Sequence, residues 1–247
     1  MRCDELPANY FKKRVYKEYE FGNNIVEDLA SRQHYLKWLI DKSIPFDKNT
    51  KIFELGCGNG ILLKYLQSSG YKFCSGVDVS PSQVMASQKQ GIVVEQADLI
   101  DSLKSKKSKS IDVIIAFDVI EHLSKNELLD LADEVFRVLS ENGRWIIHCP
   151  NGDSPFFSVV RYGDWTHEQV FTDTSLRQLA RVVGFGKVQS FEDKIIVHGA
   201  ISLIRSLLWK CCKKLIQFIY LIETGNSGNG VYTRNILSVI FKTKTDK

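Results

Sequence analysis

None of the six cysteines forms a C-x-x-C pair, and no set of Cys and His has zinc spacing. A disulfide framework and a structural zinc site are therefore not expected, and the cysteines read as reduced thiols. The N-terminus, Met1-Arg2-Cys3-Asp4-Glu5, lacks an apolar stretch, so no secretory signal is expected and a cytoplasmic location is assigned. There is no internal repeat and no long low-complexity tract. What is present is ordinary for a globular chain: 247 residues, 44% of them hydrophobic and 25% charged. That length fits one α/β domain with added segments and buries enough surface to fold without staples.

The net charge of +4 is unevenly placed. Residues 194–247 carry nine Lys or Arg against two Asp or Glu, whereas the remainder carries 24 against 27. A basic C-terminal segment on a mildly acidic body has two readings: a solvated helix face, or a surface for an anionic partner.

Hydrophobic periodicity divides the chain into three parts. Residues 1–50 form a mainly helical cap. Apolar residues recur at helical spacing from Asn24 to Ser43, after an aromatic, basic stretch containing Tyr10, Phe11, Tyr16, Tyr19 and Phe21. Residues 51–193 form the core, with predicted strands at Lys51–Leu55, Phe73–Val77, Ile92–Gln96, Ile111–Phe117, Arg144–Cys149 and near Lys187–Phe191. Helices are predicted at Ile61–Ser69, Pro81–Gln90, from the capping box Ser124-x-x-Glu127 to Leu139, and at Ser175–Val183. Lys104–Ser110 and Pro150–Phe171 read as loops, and Asn142-Gly143 as a turn. The alternation predicts an α/β fold with a doubly wound, mostly parallel sheet. Residues 194–247 add a long amphipathic helix and a last strand, Asn235–Phe241. Ile201, Ile204, Leu208, Cys211, Leu215, Ile219 and Ile222 form one stripe of that helix, opposite Lys210, Lys213, Lys214 and Gln217. Lys and Arg interrupt the apolar run too often for a membrane span. The stripe either packs on the domain, as such stripes usually do, or lies on a membrane surface.

The chemistry concentrates after the first predicted strand. Glu54-Leu55-Gly56-Cys57-Gly58-Asn59-Gly60 is a glycine-rich turn between strand and helix, where a ligand approaches the backbone closely. The spacing is one residue shorter than the G-x-G-x-x-G of dinucleotide sites, and the acid Glu54 leads it. A carboxylate there would repel a pyrophosphate but suits a cationic ligand. S-adenosylmethionine (SAM), with its ammonium and sulfonium, fits better than NAD. Asp78 ends the second strand about 20 residues beyond the glycines, where an acid reaches ribose hydroxyls. Val79 beside it would flank the adenine. After the third strand, Asp98-Leu99 offers an acceptor for the adenine amino group and an apolar cover, although Asp is also a common turn former.

In that order and spacing, these residues resemble the class I SAM-dependent methyltransferases over about Lys51 to Asn151. The resemblance implies a seven-stranded Rossmann-like sheet with an antiparallel last strand, SAM as donor, and in-line methyl transfer. It assigns Glu54, Gly56, Cys57, Gly58, Asn59, Gly60, Asp78, Val79, Asp98 and Leu99 to the cofactor, with Phe117 and Asp118 lining its methionine end.

An alcohol or phenol acceptor must lose a proton, and His is the usual base. His122 lies in Asp118-Val119-Ile120-Glu121-His122, whose acids and His share one face if the segment is helical. His167 lies in the long loop, and binding residues concentrate in such loops. Each also has a plain reading as a hydrogen-bonded structural histidine. The Asp118–Leu123 segment is similar to the E-V-I-E-H-L stretch of ubiquinone-pathway and small-RNA O-methyltransferases, some of which bind a divalent metal there. By that likeness Asp118, Glu121, His122 and His167 are a potential Mg²⁺ or Mn²⁺ set. The C-terminal third, including Thr166-His167-Glu168, His198-Gly199 and Thr233-Arg234-Asn235, resembles methyltransferases of bacterial surface-glycan biosynthesis. That likeness implies a saccharide hydroxyl as acceptor, with Phe156, Phe157, Tyr162 and Trp165 as stacking surfaces. A quinone precursor or other phenol is the alternative acceptor, and a non-catalytic SAM-binding module the alternative of another class. Nucleic acid is not expected, because the basic charge lies on an apolar helix.

Overall fold

A computed structural model describes residues 25–193 and 195–243, with side chains from residue 32 onward. The aromatic, basic stretch from Tyr10 to Phe21 lies outside them. In chain order the elements are α1 (Ile25–Ser43), β1 (Lys51–Leu55), α2 (Ile61–Ser68), β2 (Phe73–Asp78), α3 (Pro81–Gln88), β3 (Val93–Gln96), α4 (Leu99–Ser105) and β4 (Ile111–Phe117). A 3₁₀ turn (Ile120–His122) follows, then α5 (Lys125–Val138), β5 (Leu139–Pro150), α6 (Phe157–Gly163), α7 (Asp173–Val183), β6 (Val188–Glu192), α8 (Ala200–Thr224) and β7 (Asn235–Phe241).

The strands form one seven-stranded sheet in the order β3-β2-β1-β4-β5-β7-β6. Strands β1 to β5 pair in parallel, and β7 runs antiparallel to both β5 and β6. Period-2 alternation assigns the side chains to two faces. Phe53, Ile114, Ala116, Trp145 and Ile147 pack on one face with Leu128, Leu131 and Val135 of α5. Ile52, Val113, Ile115 and Ile146 pack on the other with Leu36 and Leu39 of α1 and Leu62, Leu63 and Leu66 of α2. The strand order reverses between β1 and β4, and in such sheets the crevice at the carboxyl ends of the strands beside that switch point is where ligands bind.

Local signals explain the helix ends. Ser124 and Glu127 exchange the two bonds of a capping box at the start of α5. Thr172 and Ser175 do the same for α7, which ends at Gly184 in the left-handed region.

Four expectations need correction. Part of the Lys104–Ser110 loop belongs to α4, which Asp98 caps. The Pro150–Phe171 loop contains α6, a helix with no buried residue and so no apolar signature. Asn142-Gly143 does not break β5: Asn142 N–H donates to the Lys242 carbonyl, and Lys242 N–H to the Gly143 carbonyl. Finally, the apolar stripe of α8 does not pack on the domain. Ile201, Ile204, Leu208, Leu215, Ile219 and Ile222 are all exposed, and Ser202 is the buried residue of the helix. The side that faces the domain carries Lys213, whose ammonium lies 2.9 Å from Glu192 Oε2, and Tyr220, whose ring lies tilted 6.2 Å from that of Tyr232.

Candidate functional site

The glycine turn sits at the switch point, directly after β1. Gly56, Gly58 and Gly60 all have positive φ (64°, 52° and 80°), which L side chains rarely adopt. Their surroundings differ. A Cβ on Gly56 would lie 2.6 Å from Val119 Cγ2, and one on Gly60 would lie 2.6 Å from Ile92 Cδ1. A Cβ on Gly58 would meet only Gln83 Oε1, at 3.9 Å. The outer two glycines thus permit tight packing, and the middle one leaves a backbone cradle open. Cys57 turns into the core, and a Cβ on Gly76 of β2 would meet its sulfur at 3.0 Å. Only the backbone of Cys57 can serve a ligand. Asn59 is half-buried in the turn.

Asp78 stabilises this turn. Its Oδ2 accepts from Gly58 N–H at 2.8 Å and its Oδ1 from Ser80 N–H at 2.8 Å. A carboxylate has about four lone-pair sites, so two remain for a diol. Asp98 is the N-cap of α4, with Oδ1 accepting from the N–H groups of Ile100 and Asp101. Its second oxygen takes no part in that cap. Val79 is exposed beside Asp78, and Leu99 packs against the core.

Glu54 is 4% exposed, and its Oε2 has no hydrogen-bond partner. Burial raises its pKa well above the ordinary carboxyl range, and the Asp78 carboxylate adds to this. Gln83 Oε1 is a second buried acceptor without a partner. Two orphaned acceptors beside an open glycine cradle fit a cationic ligand and not a phosphate. The residues present therefore fit SAM.

A second group of polar side chains is built from the ends of β4 and β5. Asp118 follows β4 with φ at 51°, so it stands apart from the 3₁₀ turn and does not share a helical face with Glu121 and His122 as the sequence pattern implied. Its Oδ1 lies 2.8 Å from Nδ1 of His148, the residue that pairs with Phe117 across β4 and β5. On the other side of the imidazole, Nε2 lies 3.6 Å from Asp193 Oδ2. Burial alone would lower the His148 pKa, but the flanking carboxylates, Asp118 first, outweigh it and push it up to about 10. Asp118 is exposed, and against what desolvation would do the His148 cation holds its carboxyl below the ordinary range. The Phe117 ring lies 5.2 Å from His148, and Tyr35 of α1 meets the imidazole edge-on at 6.5 Å.

Beside this group, Glu121, His122 and His167 each offer a ligand atom, all within 4.8 Å of one another. The loop reaches the turn because Glu168 and Gln169 N–H both donate to the Glu121 carbonyl, at 2.7 and 3.1 Å. Arg161 secures the same loop through the carbonyls of His167 and Glu168. Hydrogen bonding assigns the tautomers. His167 Nδ1 faces the Val160 carbonyl at 2.9 Å and must donate to it. Thr166 Oγ1 donates to Asp164 Oδ1 at 2.6 Å, so His122 Nδ1, at 2.7 Å, must donate to Thr166. In the neutral rings both Nε2 atoms then carry lone pairs. Burial, with His167 nearby, lowers the His122 pKa and keeps that ring neutral. Burial, with Asp118 adding, pushes Glu121 up to about 8, and its Oε2 is buried without a partner. One carboxylate and two imidazole lone pairs fit a divalent metal as well as a proton. Asp118, turned to His148, is not part of the cluster.

The structure thus brings His122 and His167 together and places Glu54, the glycine turn, Asp78, Asp98 and Phe117 at the carboxyl ends of β1 to β4, while the side chains of Cys57 and Leu99 turn to the core. Sequence reasoning missed His148, Asp193, Tyr35, Thr166 and Asp164. One signal for His148 was available: it interrupts the apolar run Trp145–Cys149 near the carboxyl end of β5, where ligands bind in such sheets.

A family model described as a methyltransferase domain matches residues 29–190. An uncharacterised methyltransferase of Schizosaccharomyces pombe is 26% identical over 151 residues, covering 58% of this chain and 53% of that protein. The ribosomal protein L11 methyltransferase of Alkaliphilus oremlandii is 30% identical over 182 residues, covering 55% of this chain and 58% of that protein. The chain thus spans little more than half the length of these relatives. A SAM-dependent methyltransferase structure from Archaeoglobus fulgidus shares the fold with a TM-score of 0.63 at 18% identity, over 96% of this chain and 100% of that one. Together with the seven-stranded sheet and the glycine cradle, the family match shows that the chain belongs to the class I SAM-dependent methyltransferases.

Proposed function

We propose that the chain methylates a hydroxyl group of a saccharide, with His122 and His167 as the deprotonating pair. The observation that carries this reading is the pair of imidazole Nε2 lone pairs held in a half-buried polar cluster near the exposed Asp118. When bound, SAM supplies a methyl group already activated on a sulfonium, so the protein has mainly to position the reactants and move one proton. Glu54 and the Gly58 cradle hold the cationic end of the donor, and Asp78 holds the ribose. A neutral imidazole takes the proton from the acceptor hydroxyl as its oxygen bonds to the methyl carbon. The electrons of the breaking carbon–sulfur bond leave with sulfur as a neutral thioether. The positive ring that results favours the ionised form of Glu121, which otherwise keeps its proton up to about pH 8.

Phe156, Phe157, Tyr162 and Trp165 support a sugar ring as the acceptor. All four are exposed on the same segment as His167, Trp165 by 81%. Apolar faces of a pyranose stack on such rings.

The orphaned Glu121 oxygen favours a second reading of the same cluster. Glu121, His122 and His167 would hold a divalent cation, which supplies Lewis-acid stabilisation of an alkoxide. Calorimetric titration with Mn²⁺ separates the two: a heat abolished by His167→Ala assigns a metal, and no heat leaves the imidazoles as bases.

The test of the acceptor is a methyl mass shift on glycan from a cell extract that requires SAM. With saturating SAM, His167→Ala is expected to lower turnover on that glycan by about 10²–10⁴-fold. Unchanged turnover removes His167 from the reaction. A shift on a phenolic quinone precursor, or on a protein, assigns the acceptor there instead, and SAM binding without any shift marks a binding module.

A further inference from the structure

The outward side of α8 is a continuous apolar strip. Eleven of its large apolar side chains are exposed, Ile201 by 78% and Ile222 by 69%. At about 100° per residue, the arc of roughly 120° from Leu207 round to Ile219, on the side away from Ser202, contains no charged residue. The helix has 25 residues, and the strip from Ile201 to Ile222 is about 32 Å long. Soluble monomers rarely leave such a strip uncovered. No helix among the described residues is long and apolar enough to cross a membrane, α8 included.

The charges beside the strip indicate what covers it. Lys210 and Lys214 lie on one shoulder and Arg205 on the other, all exposed, while Lys213 is turned inward to Glu192. Glu223 is the single acid of Ala200–Thr224. A second copy of the chain would bring the same cations and almost no acid to meet them. An anionic bilayer supplies both complements: acyl chains for the strip and headgroup phosphates for the shoulders.

We infer that α8 is an in-plane membrane anchor that docks this face on an anionic lipid surface. The helix lies flat, with the strip at the headgroup–acyl boundary and Arg205, Lys210 and Lys214 among the headgroups. It starts shortly after Asp193, which flanks His148, and His198 at its start stacks on His34 of α1 at 6.1 Å. The anchor is therefore built onto the site end of the domain. This inference does not depend on which acceptor is methylated.

The experiment is sedimentation of the full chain with vesicles of phosphatidylcholine, with and without phosphatidylglycerol, alongside light scattering without lipid. The wild type is expected to bind phosphatidylglycerol vesicles, and to bind them less in high salt. Leu208→Glu/Leu215→Glu is expected to weaken binding at least about tenfold, since two buried leucines are lost. Lys210→Gln/Lys214→Gln is expected to weaken it by about tenfold or more on the anionic vesicles. Both variants should bind SAM as the wild type does, because neither touches the glycine turn. Wild type that stays in the supernatant with anionic vesicles overturns the inference, as does a glutamate variant that binds undiminished. A lipid-free dimer that Leu208→Glu/Leu215→Glu converts to monomer also overturns it, by showing that a second copy covers the strip.

Discussion

Replacing Gly56 by Ala tests how the glycine turn is held against Val119, just after β4. Gly56 has φ at 64°, and the added Cβ would lie 2.6 Å from Val119 Cγ2. A side chain forced into the left-handed region costs about 1–2 kcal/mol, and overpacking a rigid contact costs about 1–3 kcal/mol more. Gly91 separates the two effects. Its φ is 75°, yet a Cβ there meets nothing within 4 Å. Gly91→Ala should therefore show the backbone strain alone, and Gly56→Ala a total of about 2–5 kcal/mol. Urea unfolding measures both, and thermal unfolding should show about 2–4 °C per kcal/mol for a domain of this size. Val119→Ala removes the clashing methyl, so the double variant should recover at least about 1 kcal/mol relative to additivity. If Gly56→Ala is no worse than Gly91→Ala, or if the Val119 change simply adds its own cost, the packing argument is wrong. Gly58→Ala completes the series. With only Gln83 Oε1 at 3.9 Å, it should lose stability like Gly91→Ala but lose SAM affinity as well, because its Cβ fills the open cradle.

Three further expectations concern stability. The buried amide of Asn151 donates to the Val231 and Thr233 carbonyls, at 3.0 and 2.9 Å, so Asn151→Ala should cost about 2–4 kcal/mol in urea unfolding. Ser124→Ala removes the α5 capping box and should cost about 1 kcal/mol by the same assay. His148 has a raised pKa, so its contribution is complete below its ordinary 6.5 and is lost as pH rises through about 10. Unfolding free energy should therefore fall across that alkaline window in the wild type and stay flatter in His148→Gln; matching slopes would contradict the Asp118–His148–Asp193 arrangement.

Local features were legible in the sequence. The bounds of β1, β4 and β7 could be read directly, because each is a short apolar run closed by turn or loop residues. The Glu54–Gly60 turn was legible because its glycines, its leading acid and Asp78 form one β-α-β unit. Short helices were not: α4 has seven residues and α6 buries none of its own, so neither shows a period. Long-range pairing was hidden as well. His148 meets Asp118 across 30 residues of chain only because β5 lies beside β4. Asn142-Gly143 stays within β5 because Lys242 pairs with both residues. The stripe on α8 was visible in the sequence, but which side meets the domain was decided by partners such as Glu192 and Tyr232.

Titration calorimetry of SAM into wild type and Glu54→Gln tests the central assignment most directly. Glu54 is buried with an orphaned oxygen and gains most from a cation. The account predicts one SAM site in the wild type, no heat with NADH, and SAM affinity about ten- to a hundredfold weaker in Glu54→Gln with unfolding stability not reduced. SAM affinity that survives the substitution unchanged, or NADH binding in place of SAM, would contradict it.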